Sequence, residues 1–482
     1  MEYEPVIGME VHVELQTESK MFCGCKVDFG GDPNTRCCPV CLGLPGSLPV
    51  VNERAIEFMA KAALALNCSI APQSIFHRKN YYYPDLPKNY QISQYDNPLA
   101  VDGFVEIFAG GKGKKIAIRR VHMEEDTGKL LHVVGDKSHV DYNRSGVPLM
   151  EIVTMNPPPP GFDQIESADE AREYLQRLRQ ILVYLDVSDC KMEEGSLRCE
   201  PNISIKPKGQ TQLGTKTEIK NLNSFRAVYL GTEYELERQE RVLRAGGTIV
   251  QETRRWDDSR GVTASMRSKE FEQEYRYFPE PDLVPMKFET QWIEKLRSML
   301  PELPMAKLRR FMSDYGISQA DAEVLTDTPE IADFYDNCAK LAKDPKAVAN
   351  WLTGEFLRLV NATGIAIPDT KLTPDHICGM LDLIEKGTIN RNIAKTVFEE
   401  MFKTGKQAAQ IVDEKGLKQV TDTGAIEEAI DRVIANSPKE VERFKAGEEK
   451  LIGFFVGQVM KETKGKANPG VVNKILAEKL KG

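Results

Sequence analysis

Asp141-Tyr142-Asn143-Arg144-Ser145-Gly146-Val147-Pro148-Leu149-Met150-Glu151-Ile152 crowds polar side chains into one short turn and then enters an apolar run. Asn143 and Ser145-Gly146 are turn chemistry, and Pro148 sets an extended entry. Leu149-Met150-Glu151-Ile152-Val153 reads as a strand carrying one carboxylate among apolar neighbours. A carboxylate in that company is costly unless it is paired or bound to a metal. Glu151 is therefore the first candidate site residue.

Around this stretch, up to about residue 290, short β-like runs alternate with Gly, Pro and Asn turns at the spacing of a largely antiparallel sheet. They cover Ile7–Leu15, Phe104–Phe108, Lys115–Val121, Leu149–Thr154, Asn202–Lys206 and Thr215–Ile219. Two helices interrupt them. From Ser167 to about Leu185, Ala168, Ala171, Leu175, Leu178 and Leu182 form a helical stripe, with Ser167 as cap and Glu170 completing a capping box. The second covers Arg226 to Arg244 and ends at Gly246-Gly247. After Pro279-Glu280-Pro281-Asp282 the pattern turns helical, over Trp292–Met299, Met305–Tyr315, Ala320–Leu325, Ile331–Ala342 and Ala347–Val360. A third unit begins after Gly405. Its run Leu451–Met460 contains glycines that allow close helix packing, and Gly465–Gly470 makes a turn before a last helix. The expected organisation is an α+β multidomain chain: a mainly antiparallel sheet domain over 1–292, an all-helical domain over 293–405 and a tail over 406–482.

Composition narrows the class. A chain of 482 residues exceeds one core. With 41% hydrophobic and 28% charged residues it has the balance of a soluble globular protein, and no apolar run approaches the roughly 20 residues that span a bilayer. No basic stretch or apolar signal core opens the chain, so a cytoplasmic address is expected. In that compartment ten cysteines, five of them between Cys23 and Cys41, read as metal ligands rather than disulfides. A net charge of −8 argues against a general nucleic-acid coat. From Lys445 onward, however, eight lysines oppose four glutamates, which gives a local tail of +4.

Several short segments carry chemistry. In Ile7–Gln16 the odd positions are apolar, while Glu10, His12 and Glu14 share the other face of a strand, either as a half-exposed polar edge or as a divalent-metal row. His122-Met123-Glu124-Glu125-Asp126 sets three acids after a strand, as a solvated turn or as ligands. Lys191–Arg198, with Glu194, and Lys216–Asn221, with Glu218 and Lys220, repeat acid beside base. Cys23-x-Cys25 and Cys38-x-x-Cys41 suit tetrahedral Zn²⁺, with Cys37 as an alternative fourth ligand; four thiolates leave no open position, so such a zinc is structural. Lys79–Gln94 interleaves tyrosines with cations and amides, either to stack unpaired bases or to pack over the sheet. No Gly-x-x-x-x-Gly-Lys-Ser/Thr phosphate loop is present, so a nucleotide site must be built from sheet side chains.

The opening stretch resembles the signature of the B subunit of the bacterial aspartyl/glutamyl-tRNA amidotransferase, which is the kinase and transamidase component of the three-subunit GatCAB complex. The likeness extends through Val6–Leu15, Cys38–Gly46, Arg78–Tyr81, His122–Gly128, Lys191–Arg198, Lys220–Phe225, Gln251–Trp256, Tyr275–Asp282 and Gly453–Pro469. It implies a cradle domain related to the glutamine synthetase catalytic sheet, then a helical domain and a YqeY-like tail that grips tRNA. It implies an ATP-dependent carbon–nitrogen ligase that phosphorylates the side-chain carboxylate of Glu-tRNA(Gln) or Asp-tRNA(Asn) and amidates it. Ammonia would come through a channel from a partner glutaminase, the A subunit, in a heterotrimer with a small C subunit. Mg²⁺ would sit on Glu10, His12, Glu125 and Glu151, with Glu124, Arg144, Glu194, Glu218 and Lys220 as further members toward ATP. Such a set is what the reaction needs, since a carboxylate is a poor acyl donor and moving a phosphoryl group between anions requires cations and oxygen ligands. The chain departs from the family pattern at Glu200-Pro201, where Asp-Ala is more usual, and in the additional thiol of Cys37. A non-catalytic tRNA-binding scaffold and a free-standing carboxylate–amine ligase are the competing readings.

Overall fold

In a computed structural model of the chain, residues 2–132, 137–266, 275–418, 423–463, 467 and 469–481 are described. Tyr3–Glu14 opens the main sheet as β1, with Ile7, Met9, Val11 and Val13 buried on one face and Glu10, His12 and Glu14 alternating onto the other. The other strands of this sheet are β2 (Ser69–Ile70), β3 (Ala100–Ala109), β4 (Lys112–Glu125), β5 (Pro148–Thr154), β6 (Leu197–Pro207), β7 (Thr217–Lys220), β8 (Glu252–Asp257) and β9 (Val262–Ser265). They lie in the order β9-β8-β7-β6-β1-β5-β4-β3-β2. All pairs are antiparallel except β7 with β8, a parallel pair that the pattern of apolar residues does not announce.

β5 is the strand expected from Leu149–Thr154. The chain reaches it through a turn in which Gly146 takes φ +88°. Both peptide groups of Gly146 are used there, its N–H donating to the carbonyl of Asp126 and its carbonyl accepting from Met21, each at 2.8 Å. A side chain is strained in that left-handed conformation. Gly146→Ala is expected to lower stability by about 1–2 kcal/mol, seen as a lower urea midpoint at unchanged slope.

Three helices cover the apolar face: α1 (Glu53–Ala65), α2 (Ala168–Tyr184) and α3 (Phe225–Arg244). α2 starts where its cap predicts, the Ser167 hydroxyl accepting the Glu170 N–H at 3.2 Å, and its expected stripe is buried throughout. The capping box closes differently. The Glu170 carboxylate accepts the N–H of Glu166 at 2.8 Å and pairs with Lys114 at 2.7 Å instead of returning to Ser167. α1 is not foreseen. Asn52 caps it, accepting from Arg54 and Ala55 at 3.0 and 3.3 Å, and Glu53, Arg54, Glu57 and Lys61 mark its polar face at helical spacing, a signal the sequence carries and the reading passed over.

The core joins Met9, Val11, Val13, Val121 and Ile152 of the sheet to Met59, Leu175, Leu178 and Val228 of the helices. Trp292, Ile293 and Leu296 of α4 (Thr290–Ser298) pack against the same core. The first of two compact units spans Met1–Pro304.

The second unit, Met305–Gly482, is helical. It contains α5 (Pro304–Tyr315), α6 (Gln319–Leu325), α7 (Pro329–Leu341), and α8 (Pro345–Trp351), which continues through π-helical Leu352–Phe356 into α9 (Leu357–Thr363). Then follow α10 (Pro374–Glu385), α11 (Arg391–Thr404), α12 (Ala408–Glu414), α13 (Thr423–Asn436), α14 (Pro438–Lys445), α15 (Ile452–Glu462) and α16 (Pro469–Lys481). Ile430, Phe444, Phe455, Val472 and Leu476 belong to a hydrophobic cluster made by residues of α13–α16. Gly453 and Gly457 do not serve close helix packing: both are exposed, and a Cβ on either would meet nothing within 4 Å. α15 packs instead through Phe455 and Val459, on its opposite side. The expected Gly465–Gly470 turn lies largely outside the described residues. Among the described residues no helix is long and apolar enough to cross a membrane.

Candidate functional site

Strand register builds the site. His12 lies opposite Glu151 of β5 and Arg198 of β6, and Glu10 lies opposite Glu200 of β6. Glu151 faces His122 of β4, and Asn202 faces Glu218 of β7. The polar face of the sheet thus carries ionisable groups across β4, β5, β1, β6 and β7, while the opposite face is closed by helices.

Two groups of candidate ligands stand on this face: His12, Glu124 and Glu151, and Glu10, Glu200 and Glu218, the ligand atoms of each group lying within 4.8 Å of one another. In the first, Glu151 Oε2 is 3.6 Å from His12 Nε2 and 3.0 Å from His122 Nε2. Glu124 accepts hydrogen bonds from the Ser93 hydroxyl at 2.7 Å and the Gln91 amide at 3.1 Å, with Lys79 Nζ at 3.8 Å. These three partners come from a small sheet of His77–Asn80, Tyr90–Ser93 and Phe278–Pro279. In the second group, Asn202 donates to Glu10 at 3.0 Å, Thr253 donates to Glu218 at 2.6 Å, and Lys220 Nζ stands 2.9 Å from Glu200 and 3.2 Å from Glu218.

The electrostatics differ between the groups. Burial alone would raise the Glu151 carboxyl, but the His122 and His12 imidazoles hold it well below the usual range. Glu124, similarly buried, is held near 2, chiefly by Lys79 and His122. Against burial, Glu151 and Glu124 push His122 up to about 9. Glu10 is raised, first by burial and then by the charges of Glu151, Glu200 and Glu218, which Lys216 only partly offsets. Carboxylates gathered at this density, together with one imidazole, are a donor set for hard divalent cations.

Of the residues singled out in the sequence, Glu10, His12, Glu124, Glu151, Glu218 and Lys220 lie together on this face. Glu125 does not. One residue along β4 from Glu124, it points to the other side, where it accepts from the Ile92 N–H at 2.9 Å and pairs with Lys88 at 2.5 Å. There it lines a cavity of about 70 Å³ with Lys20, Cys41 and Gly146. The two-residue period of a strand allows only one of the adjacent acids to join the His12 group, and that one is Glu124. Arg144 is spent on the loop after β4, donating to the carbonyls of Thr127 and Gly128 at 3.1 and 3.2 Å. Glu194 is in a separate turn, paired with Lys191 at 3.1 Å. The reading missed Glu200, His122 and Lys79 as site residues. Alternation from Arg198 puts Glu200 on a defined face, but only the register with β1 brings it to Glu10.

The cysteines form a second centre. The sulphurs of Cys23, Cys25, Cys38 and Cys41 lie within 4.8 Å of one another, so this group could hold a metal ion such as zinc, while Cys37 stays outside it. The Cys38 N–H donates to Cys41 Sγ at 3.2 Å, and Lys20 Nζ approaches the same sulphur at 3.7 Å. A hydrogen bond from Cys23, supported by the Cys38 N–H and the Lys20 charge, holds the Cys41 thiol down near 4. Burial pushes Cys25 up to about 11. Tyr82 and Tyr83 of the aromatic loop remain exposed, at 74% and 55%, whereas Tyr81 packs edge-on against Tyr275.

The sheet unit with its ligand rows is of a recognised class: residues 5–294 match the GatB/GatE catalytic domain, and residues 333–480 match the GatB domain. Whole-chain relatives agree. The aspartyl/glutamyl-tRNA(Asn/Gln) amidotransferase B subunit of Carboxydothermus hydrogenoformans is 57% identical over 99% of both chains. The proteins of that name from Thermoanaerobacter sp. and Moorella thermoacetica are 57% and 55% identical, each over 100% of both chains. The chain belongs to the family of aspartyl/glutamyl-tRNA(Asn/Gln) amidotransferase B subunits.

Proposed function

We propose that the chain performs the chemistry of tRNA-dependent amidation, phosphorylating the side-chain carboxylate of Glu-tRNA(Gln) or Asp-tRNA(Asn) with ATP before ammonia displaces phosphate to leave the amide. The observation that carries this reading is the pair of ligand groups side by side on one sheet face. His12, Glu124 and Glu151 would hold one Mg²⁺, and Glu10, Glu200 and Glu218 a second. Mg²⁺ bound there supplies positive charge to the oxygens of the moving phosphoryl group. Lys220 balances the second acidic group, and Lys79 balances Glu124. Glu125, Arg144 and Glu194 are left out of this set.

The sheet domain, 1–292, is read as a cradle of glutamine-synthetase type, followed by a helical domain over 293–405 and a YqeY-like tail over 406–482. The separate hydrophobic cluster of α13–α16 supports an independent tail, and the excess of lysines after Lys445 suits the tRNA backbone. Tyr82 and Tyr83, both exposed, are suited to stack on the unpaired acceptor end. Cys23, Cys25, Cys38 and Cys41 would hold a structural Zn²⁺. The partners are a glutaminase A subunit that delivers ammonia through a channel and a small C subunit, in the cytoplasm.

The test is amide formation on Glu-tRNA(Gln) with ATP and Mg²⁺, using ammonium chloride with this chain alone and glutamine with the three-subunit complex. ATP-dependent amide is expected in both. Amide that forms equally without ATP, or without this chain, would overturn the reading.

A further inference from the structure

On the face that bears the ligand groups, β4 presents Arg120, His122 and Glu124 in succession at the two-residue period of a strand. Side chains at that spacing stand about 7 Å apart, within the reach of an arginine. His122 pairs through Nε2 with Glu151 while its Nδ1 is buried without a partner, and the Glu124 carboxylate is engaged by Ser93, Gln91 and Lys79. Arg120 is not. Its Nε is buried without a hydrogen-bond partner, and no ion pair joins its guanidinium to a described carboxylate.

The neighbouring cations behave otherwise. Lys220 holds Glu200, Arg198 donates to Asp126 at 2.7 Å, and Lys79 lies beside Glu124. The charge of Arg120 nevertheless reaches the site. Burial pushes the Tyr277 phenol up to about 12, with the charges of Glu124 and Glu151 adding to the rise and those of Lys79 and Arg120 opposing it. A guanidinium cannot shed its charge, and it offers planar, paired N–H donors that match an oxyanion. Leaving such a donor buried and unused is costly.

We propose that Arg120 binds a substrate oxyanion at the His12–Glu124–Glu151 group, either the terminal phosphoryl of the nucleotide or the side-chain carboxylate that receives it. The inference rests on the reading of this face as an ATP-dependent amidation site. In that transfer the bond from the γ-phosphorus to the bridging oxygen breaks as a bond to a carboxylate oxygen forms, and ADP departs with the bridging oxygen. The negative charge on the equatorial oxygens has to be balanced throughout, and a forked donor does so with a fixed orientation.

The test compares the three-subunit complex carrying wild-type chain, Arg120→Gln and Arg120→Lys. Calorimetric titration in Mg²⁺ with the β,γ-imido analogue of ATP and with ADP measures nucleotide binding, and initial rates give KM for Glu-tRNA(Gln). For Arg120→Gln, affinity for the analogue falls at least about ten-fold while ADP changes less than about two-fold if the phosphoryl is the ligand. If the carboxylate is the ligand, KM for Glu-tRNA(Gln) rises by a similar factor with nucleotide affinity intact. Arg120→Lys keeps the charge without the fork and recovers part of the loss; should Arg120→Gln fail to fold, the Lys variant is the one read, and a deficit of about five-fold is expected. Both variants matching wild type in both measurements would overturn the inference. If wild type makes amide and the variants do too at its KM and affinities, this inference alone fails, whereas a wild-type complex that makes no ATP-dependent amide sinks the reading beneath it.

Discussion

Glu151→Gln is expected to abolish amide formation to within background, a fall of at least about 10³-fold or roughly 4 kcal/mol. Glutamine keeps the shape of the side chain and removes the charge that faces two imidazoles and completes the His12–Glu124–Glu151 group. A carboxylate that both neutralises its neighbours and offers a cation ligand cannot be replaced by a neutral oxygen without weakening the cation. The fold carries a second signature of the same charge. His122 has its pKa raised to about 9 in the folded chain, with Glu151 first among the charges that overcome burial. A histidine raised above its unfolded value of about 6.5 adds stability that is complete below pH 6.5 and is lost as pH rises through about 9. In Glu151→Gln that contribution shrinks. The variant is therefore expected to be less stable than wild type near pH 6 and to draw level with it above pH 9, read from urea midpoints without added magnesium. Full amide formation by Glu151→Gln would instead favour a scaffold role and send the chemistry to a partner chain.

The alternation of Ile7–Leu15, the turn before Leu149 and the stripe after Ser167 were legible because each is a local pattern with a local cause: strand period, turn chemistry, helix period and cap. The α1 helix was missed although Glu53, Glu57 and Lys61 repeat at helical spacing along one face, because its small alanines give the apolar side a weak signal. The site divides on the same principle. Glu10, His12 and Glu151 stand out within their own segments, whereas the choice of Glu124 over Glu125 follows from alternation along β4, where Val121 and Met123 turn into the core and His122 and Glu124 to the other face. Glu200 joins Glu10 through a pairing of strands separated by most of the domain. Period-two counting gives faces within a strand; it does not give the register between strands, and the site is a product of register.

If the cysteine group holds the zinc proposed for it, Cys41→Ser is expected to take the metal content from about one equivalent to none, while Cys37→Ser leaves it unchanged. The contrast follows from geometry, since Cys41 lies within 4.8 Å of three other sulphurs and Cys37 is not in that group. The loss would not stay local. Lys20, beside Cys41 Sγ, also donates to the carbonyl of Tyr142 at 3.2 Å. The Arg36 N–H donates to Asn143 Oδ1 at 2.9 Å, and Asn143 Nδ2 donates to the Asp32 carbonyl at 2.7 Å. The cysteine loop is thereby bonded at several points to the turn that leads through Gly146 into β5 and Glu151. Without the metal, four sulphurs gathered at one point have no cation to justify their approach, and the loop and the turn loosen together. Structural zinc contributes folding free energy directly, on the order of 10 kcal/mol in small metal-dependent domains; here the sheet core remains, so a fall in melting temperature of about 5 °C or more is expected, with amide formation reduced about ten-fold through the displaced strand. Elemental analysis, a melting curve and the amide assay on the two serine variants decide it: zinc retained by Cys41→Ser but lost from Cys37→Ser would reassign the fourth ligand, and zinc lost from Cys41→Ser with stability and activity untouched would uncouple the cysteine loop from the site.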